Sequence, residues 1–347
     1  MAASNLVHPA PSPTMQGDPL ASRTVINPWG KRWRAVRDIV TYSPISTIGF
    51  LLLALFIIVA IIGPLIAPYD PALMGAGLPS QAPSAQHWLG TTQTGQDVWS
   101  QLLVGTRTSL IVGFTVAILT TALAVLIGSI SGYLGGWVDD GLTLLTNVFL
   151  TIPTLPLTIV FASYAAAFHV RGLGVIIVVL TLTGWAWGAR VKRSQILSLR
   201  NKDFVMAAKV SGENWFRIMV AEVLPNMLSL IASTFIFAAI FAVLTEAALE
   251  FIGLGDLNST TWGTMLYWSE NNSALLTGAW WWFLPPGLAI GLFALSLTFI
   301  QYVLDEVTNP RLRAQRQRKG GGVVPQMTTT APHDTSATEG TPDAASA

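Results

Sequence analysis

Cysteine is absent from this 347-residue sequence. Its absence excludes a disulfide framework, a covalent haem attachment and a thiolate zinc site. Charge is scarce as well. Asp, Glu, Lys and Arg make up 11% of the chain, against 52% hydrophobic residues, where a soluble domain carries roughly 25% charged residues. That deficit excludes an ordinary soluble fold. The net charge of +1 is uninformative by itself, and no nucleic-acid partner is expected. Catalytic signatures are missing too: there is no Walker A, HExxH or GxSxG pattern. The segment GLGDLNSTTWG (253–263) is rich in glycine but follows no strand and lacks the phosphate-binding lysine. The chain is therefore not expected to bind ATP or to be an enzyme, and no cofactor or metal is expected. Asp139 and Asp140 form an acidic pair with no histidine or third acid nearby in sequence, so they read as a helix-start signal. His87 and His169 stand alone and read as non-catalytic.

What is present is a set of long apolar runs. Six are nearly free of charge, near 46–68, 108–134, 142–168, 172–189, 227–250 and 284–304, and crossing a bilayer takes about 20 helical residues. The fourth run is the shortest, lying between Arg171 and Arg190; at 1.5 Å per residue it reaches about 27 Å. Backbone groups in lipid must bond within their own segment, so these runs are read as helices. The fold class expected is all-α, a polytopic membrane protein with six transmembrane helices. Small residues such as those of GSISGYLGG (128–136) suit close helix–helix contact.

Six spans place both ends of the chain and two loops on one side. The segment before the first run, the loop between the fourth and fifth, and the tail together carry 17 of the 19 Lys and Arg residues. The positive-inside rule makes that side cytoplasmic. Residues 1–40 read as a disordered basic tail without a cleavable signal peptide. KRWRAVRD (31–38) reads as a positive anchor, with an interfacial helix on anionic lipid as the alternative. Residues 41–105 comprise the first span and a long external loop, in which HWLGTTQTGQDVWSQLL (87–103) reads as a capped helix leading into the second span. Residues 106–305 hold the other five helices. Within them, 135–141 read as a tight turn and 253–283 as a second external loop, with Trp280, Trp281 and Trp282 at the headgroup level. Residues 306–347 read as a disordered tail.

One polar island, AAKVSGENWFRIMVAEVLPN (207–226), separates two apolar runs. Ala207 and Ala208 are small enough to let a helix seat in a partner's cleft. Gly212 permits the backbone angle that ends a first helix, and Pro225, after Leu224, suits the start of the fifth span. A helix–Gly–helix elbow on the membrane surface is a docking device; a solvated basic loop that only sets topology is the plainer alternative. Glu246 and Glu250 lie four residues apart near the outer end of the fifth span, so they share a helix face. A charge at mid-membrane costs about 2.5–3.5 kcal/mol on insertion scales. They read as a pair near interface depth, bonded to neighbouring helices or loop backbone, with a translocation path or gate as the functional alternative.

Five blocks in order resemble one family. They are HWLGTTQTGQDVWSQLLVGTRTSLIVG (87–113), SGYLGGWVDD (131–140), TGWAWGARVKRSQILSLRNKDFVMAAKVSG (183–212), LTEAALEFIGLG (244–255) and PPGLAI (285–290). They resemble the permease subunits of peptide-type ABC importers, the C-type partner of dipeptide and oligopeptide permeases, over roughly residues 45–313. The resemblance implies a type I importer permease fold. It also implies a second homologous permease subunit, two ATP-binding subunits and an extracytoplasmic substrate-binding protein as partners, within a lipid membrane. It makes the segment at about 199–226 the ATPase-coupling loop, with Asp203, Ala207, Ala208, Gly212, Trp215, Leu224 and Pro225 as its site residues. Three positions depart from the family pattern: Met206 stands where the acid before Ala-Ala is usual, Gln96 where an arginine is, and Thr92 where an aspartate is. The implied substrate is a peptide, with an oligosaccharide as the alternative. A stand-alone secondary transporter is the rival class; it would need charged coupling sites near the midplane, for which only Glu246 is available. An intramembrane enzyme is disfavoured by the missing catalytic motifs.

Overall fold

A computed structural model describes residues 43–308, apart from 169 and 171, together with residue 40. The expectation for the basic patch at 31–38 falls outside the described residues, as do those for the tails except at Val40 and at 306–308, which are helical where a disordered tail was expected. Among those described, the chain forms helices and turns with a single isolated β-bridge between Thr91 and Asp97. The long helices are α1 (Pro44–Ile66), α2 (Val98–Leu134), α3 (Gly136–Thr151), α4 (Thr154–Ala167) and α5 (Leu173–Leu199). After them come α6 (Asp203–Val210), α7 (Trp215–Arg217), α8 (Leu228–Phe251), α9 (Trp262–Asn271) and α10 (Trp280–Thr308).

Five helical segments are long and apolar enough to cross a membrane. A sixth crossing exists only as a broken one, α3 and α4 together, bent by 90°. The uninterrupted third span expected at 142–168 is thus cut at Ile152-Pro153. Proline has no N–H and forces its predecessor out of the helical region; Ile152 accordingly sits at φ −82°, ψ 127°. The tight turn expected at 135–141 shrinks to Gly135 and Gly136, both at positive φ, and the acidic pair falls within α3. The fourth run, expected to end at residue 189, continues as helix to Leu199. Arg190, Lys192 and Arg193, read from sequence as loop residues, are therefore helical.

α2 is the hub. It packs along α5 on one side and α8 on another, with α1 and α10 closing the bundle against it. α1 shows how sequence makes a lipid-facing helix. Leu51, Leu55, Ile58, Ile61 and Leu65 recur at helical spacing and are exposed, while Ser46, Gly49, Phe56 and Gly63 are buried on the other side. Small residues set the closeness of α2 to α5. A Cβ built on Gly128 would lie 2.8 Å from the Ala189 carbonyl, and one on Gly132 would lie 3.1 Å from that of Arg193. The expected role of GSISGYLGG in close packing holds at these two positions.

The segment 253–283 is not simply a loop. It contains α9, started by a reciprocal capping arrangement between Thr261 and Thr264. Trp262 is completely buried, edge-on to Phe56 at 5.7 Å, with Phe293 at 6.0 Å. Its indole N–H donates to Thr106 Oγ1 at 3.2 Å and its backbone N–H to Ser109 Oγ at 3.2 Å. The tryptophans at 280–282 also part company. Trp280 is half exposed, Trp281 donates to the Thr91 carbonyl at 3.2 Å, and Trp282 is buried beside Val98 and Met265.

Of the capped helix expected over 87–103, residues 87–97 form turns and the helix starts only at Val98, with the preceding segment pinned to its start. Asp97 is the N-cap and accepts from the Ser100 N–H at 2.8 Å. His87 Nδ1 lies 2.9 Å from the same carboxylate, and both side chains are buried. His87, unassigned from sequence, thus holds the cap. Thr92 and Gln96, two of the departures from the family pattern, engage one another: the Gln96 N–H donates to Thr92 Oγ1 at 3.1 Å.

Candidate functional site

The polar island folds as the elbow its residues predict. α6 ends in a Schellman motif: Glu213 N–H bonds the Ala208 carbonyl at 3.2 Å, and Gly212 N–H bonds that of Lys209 at 3.0 Å. Gly212 adopts φ +78°, a region that side-chain-bearing residues resist. Asn214 then caps the next helix by accepting from the Phe216 N–H at 3.3 Å, and Glu213 pairs with Arg217 one turn on.

Pro225 does not open the fifth span. Helical structure begins at Trp215 and continues to Phe251, so the proline lies inside the run. The missing N–H is absorbed by a change of helical pitch. Ile218–Val223 is a π-helix and Pro225–Met227 a 3-10 turn; Leu224 N–H reaches five residues back to Met219, at 2.8 Å.

The elbow is anchored, not loose. Val205, Ile218, Met219, Val223 and Met227 are buried against Ile196 at the end of α5, with Leu224 half-buried at the edge. Arg200 donates to the Gly132 carbonyl at 3.2 Å, and the Lys209 ammonium sits 5.4 Å from the centre of the Tyr133 ring. Exposed on the elbow are the apolar side chains of Phe204, Met206, Val210, Trp215 and Phe216, interspersed with polar ones, among them Lys202, Asp203, Lys209, Asn214 and Arg217. A shallow groove of about 360 Å³ runs between α6 and the helix that follows. Phe204, Ala207, Ala208, Ser211, Arg217 and Glu222 are among its walls. Of the seven residues singled out from sequence, Ala207 and Ala208 line this groove and Gly212 makes the corner. Asp203, Trp215 and Pro225 are exposed nearby, and Leu224 packs inward. Sequence reasoning missed Phe204 and Arg217. The signal was there: Phe204, Ala207, Ala208 and Ser211 fall at i, i+3, i+4 and i+7, one face of a helix.

Glu246 and Glu250 share a face, and both are fully buried within the chain. Ser109 Oγ lies 3.4 Å from Glu246 Oε1, and Thr261 Oγ1 donates to Glu250 Oε2. The pair therefore joins α8 to α2 and to the cap of α9. Neither side chain lines the cavities described here.

Asp139 makes a comparable junction among α2, α3 and α5. Arg193 grips it with two hydrogen bonds, of 2.6 and 2.7 Å, and Ser131 and Thr143 donate to it as well. One carboxylate thus ties α2, α3 and α5 together, well beyond a helix-start role. Removing one partner of a well-buried pair costs about 3–5 kcal/mol. With Arg193 30% and Asp139 13% exposed, solvent screening lowers the expectation for Arg193→Met to about 2 kcal/mol. A thermal-unfolding series with Asp139→Leu added should recover part of it, because the double variant leaves no unpaired charge.

These features define a multi-pass helical membrane protein with an anchored elbow where α6 meets the helical run Trp215–Phe251. The chain belongs to the family of binding-protein-dependent transport system inner membrane components, whose model matches residues 124–314. A second model, the N-terminal transmembrane domain of oligopeptide transport permease C, matches residues 28–87. Among curated relatives, the dipeptide transport system permease protein DppC of Bacillus subtilis is 30% identical over 81% of this chain and 85% of its own length. The oligopeptide transport system permease protein OppC of the same organism is 30% identical over 78% and 87%. A putative peptide transport system permease protein of Brucella suis is 33% identical over 77% and 88%. The MetNI methionine ABC transporter, solved in inward-facing conformations, aligns with a TM-score of 0.47 at 17% identity, covering 62% of this chain and 95% of that one.

Proposed function

We propose that this chain forms half of the translocation path of an ATP-driven importer for peptides. A homologous permease subunit supplies the other half. Two ATP-binding subunits dock on the elbow, and an extracytoplasmic binding protein delivers the substrate. Family membership supports the permease role, and the relatives named as dipeptide, oligopeptide and peptide permeases support the substrate class. The observation that carries the coupling role is the elbow itself. It is rigidly seated on the end of α5 yet turns Phe204, Met206, Val210, Trp215 and Phe216 to solvent, and exposed apolar clusters of this kind mark partner surfaces. A push on α6 is passed to α5 through Val205 and Ile196, and to α8 through the continuous helix from Trp215. In this role the chain makes and breaks no bond, and the energy comes from the partner ATPases.

Orientation follows from the basic residues: elbow and both ends of the chain on the cytoplasmic side. Reporter fusions after residues 80 and 265 should be external, and those after 205 and 320 cytoplasmic. A cytoplasmic signal at 80 would overturn the six-crossing arrangement. The substrate class is tested by uptake into vesicles carrying the whole complex. Labelled di- and tripeptides should accumulate with ATP and compete with one another. Accumulation of an oligosaccharide, with peptides neither taken up nor competing, would reassign the substrate.

A further inference from the structure

Lys192 is a buried cation without a carboxylate partner among the described residues. It is 1% exposed, and its ammonium makes one hydrogen bond, to Thr234 Oγ1 at 2.9 Å. Among the described residues no carboxylate forms an ion pair with it; Arg193 next to it is paired with Asp139. An ammonium has three donors, so two go unused. Burying an unpaired charge is expensive, and an apolar side chain of the same length would pack there without that penalty.

The surroundings point to a ligand. Lys192 lines a cavity of about 280 Å³ between α2, α3, α5 and α8. Thr120 and Thr121, 7% and 9% exposed, line the same cavity, and neither hydroxyl has a hydrogen-bond partner. Three polar groups with spare donors thus gather in one space. Most of the remaining wall is apolar, including Phe149, Leu150, Trp187 and Phe237. Few polar groups set in an apolar cavity is the usual composition of a small-molecule site, and the volume lies just below the usual range of about 300–1,000 Å³. It suits one terminal residue and not a whole oligomer. A carboxylate fits the donors: it accepts from an ammonium and from hydroxyls at once.

We infer that this cavity binds the C-terminal carboxylate and last side chain of the transported peptide. Lys192 is its anion-binding group, and Thr120 and Thr121 are the accessory donors. The identity of the ligand rests on the peptide-import reading; the carboxylate site itself does not. An apolar terminal side chain would lie against Trp187 and Phe237. Lys192 would then be paired only while substrate is in the path.

The test uses the full-length chain in detergent, with labelled N-acetyl-leucyl-leucine and its C-terminal amide as probes. The acid should bind at least tenfold more tightly than the amide. Lys192→Met should lose that preference without lowering the thermal midpoint, and Lys192→Arg should keep most of it. Because the Thr120 and Thr121 hydroxyls are unbonded in the free protein, replacing both with valine should weaken acid binding severalfold and leave folding intact. Equal binding of acid and amide, or unchanged acid binding in either Lys192→Met or the double valine variant, would overturn the assignment. If Lys192→Met does not fold, the valine pair decides. Binding of dodecanoate but not of the peptide acid would likewise refute a peptide site, assigning the cavity to a lipid carboxylate. Binding of the acid by a complex that takes up no peptide would leave the site standing and remove the import reading instead.

Discussion

Gly212→Val is expected to leave the chain folded and inserted, yet to weaken ATPase-subunit association and abolish uptake. The reason is local. Gly212 holds φ +78° at the corner of the elbow, and an L-residue pays about 1–2 kcal/mol in the left-handed region, a β-branched one more. A Cβ there meets nothing within 4 Å, so no packing is lost; only the angle between α6 and the following helix changes. About 1.4 kcal/mol is a factor of ten in a binding equilibrium. Strain of that size, placed where two docking helices meet, weakens the interface about tenfold or more and misdirects the helix that transmits the stroke. Gly212→Asn is the control, because asparagine tolerates positive φ, and it should retain association and uptake. Co-purification of the ATP-binding subunits and ATP-driven uptake are the measurements. Normal uptake by a correctly inserted Gly212→Val protein would sink the coupling role of this loop.

Trp262→Ala is expected to have the largest effect on stability. Lipid tails are as apolar as the side chains they meet, so contacts and hydrogen bonds hold these helices together more than exclusion from water does. Trp262 concentrates both. It touches Phe56 of α1 and Phe293 of α10, and bonds Thr106 and Ser109 of α2. Truncation leaves a cavity and strips Thr106 of its donor; such changes cost about 3–5 kcal/mol in soluble cores. The expected outcome is a strongly lowered thermal midpoint or loss of the protein from the membrane. Trp262→Phe should recover most of the packing but not the bond to Thr106. Trp280→Ala should be nearly neutral, since that side chain is half exposed. Equal effects at 262 and 280 would contradict this account of the α9 region.

Tryptophan shows where reading the sequence stopped. Trp262, Trp280, Trp281 and Trp282 all fall in the segment taken as an external loop, yet their surroundings differ. The type of residue was informative about polarity, but not about which neighbour would cover it. Glu246 and Glu250 behave alike: their spacing determined a shared face, while the partners Ser109 and Thr261 come from 137 and 11 residues away.

By itself the sequence determined what depends on a window of residues. Apolar runs of bilayer length, the Asp97 cap, the corner at Gly212 and the bias of basic residues to one side are of this kind. Each is a property of local composition or of one residue's backbone, and each is visible without knowing the fold. Only the tertiary structure decided the rest. It broke the third span at Pro153, carried helix past residue 189, absorbed Pro225 through a π-turn and buried Lys192 beside unpaired hydroxyls. At the prolines the sequence shows the missing N–H but not how the helix will accommodate it, and at Lys192 the energy turns on what packs opposite. A lysine in a basic stretch is an ordinary topology signal in water, and becomes something else only when α2, α5 and α8 close around it.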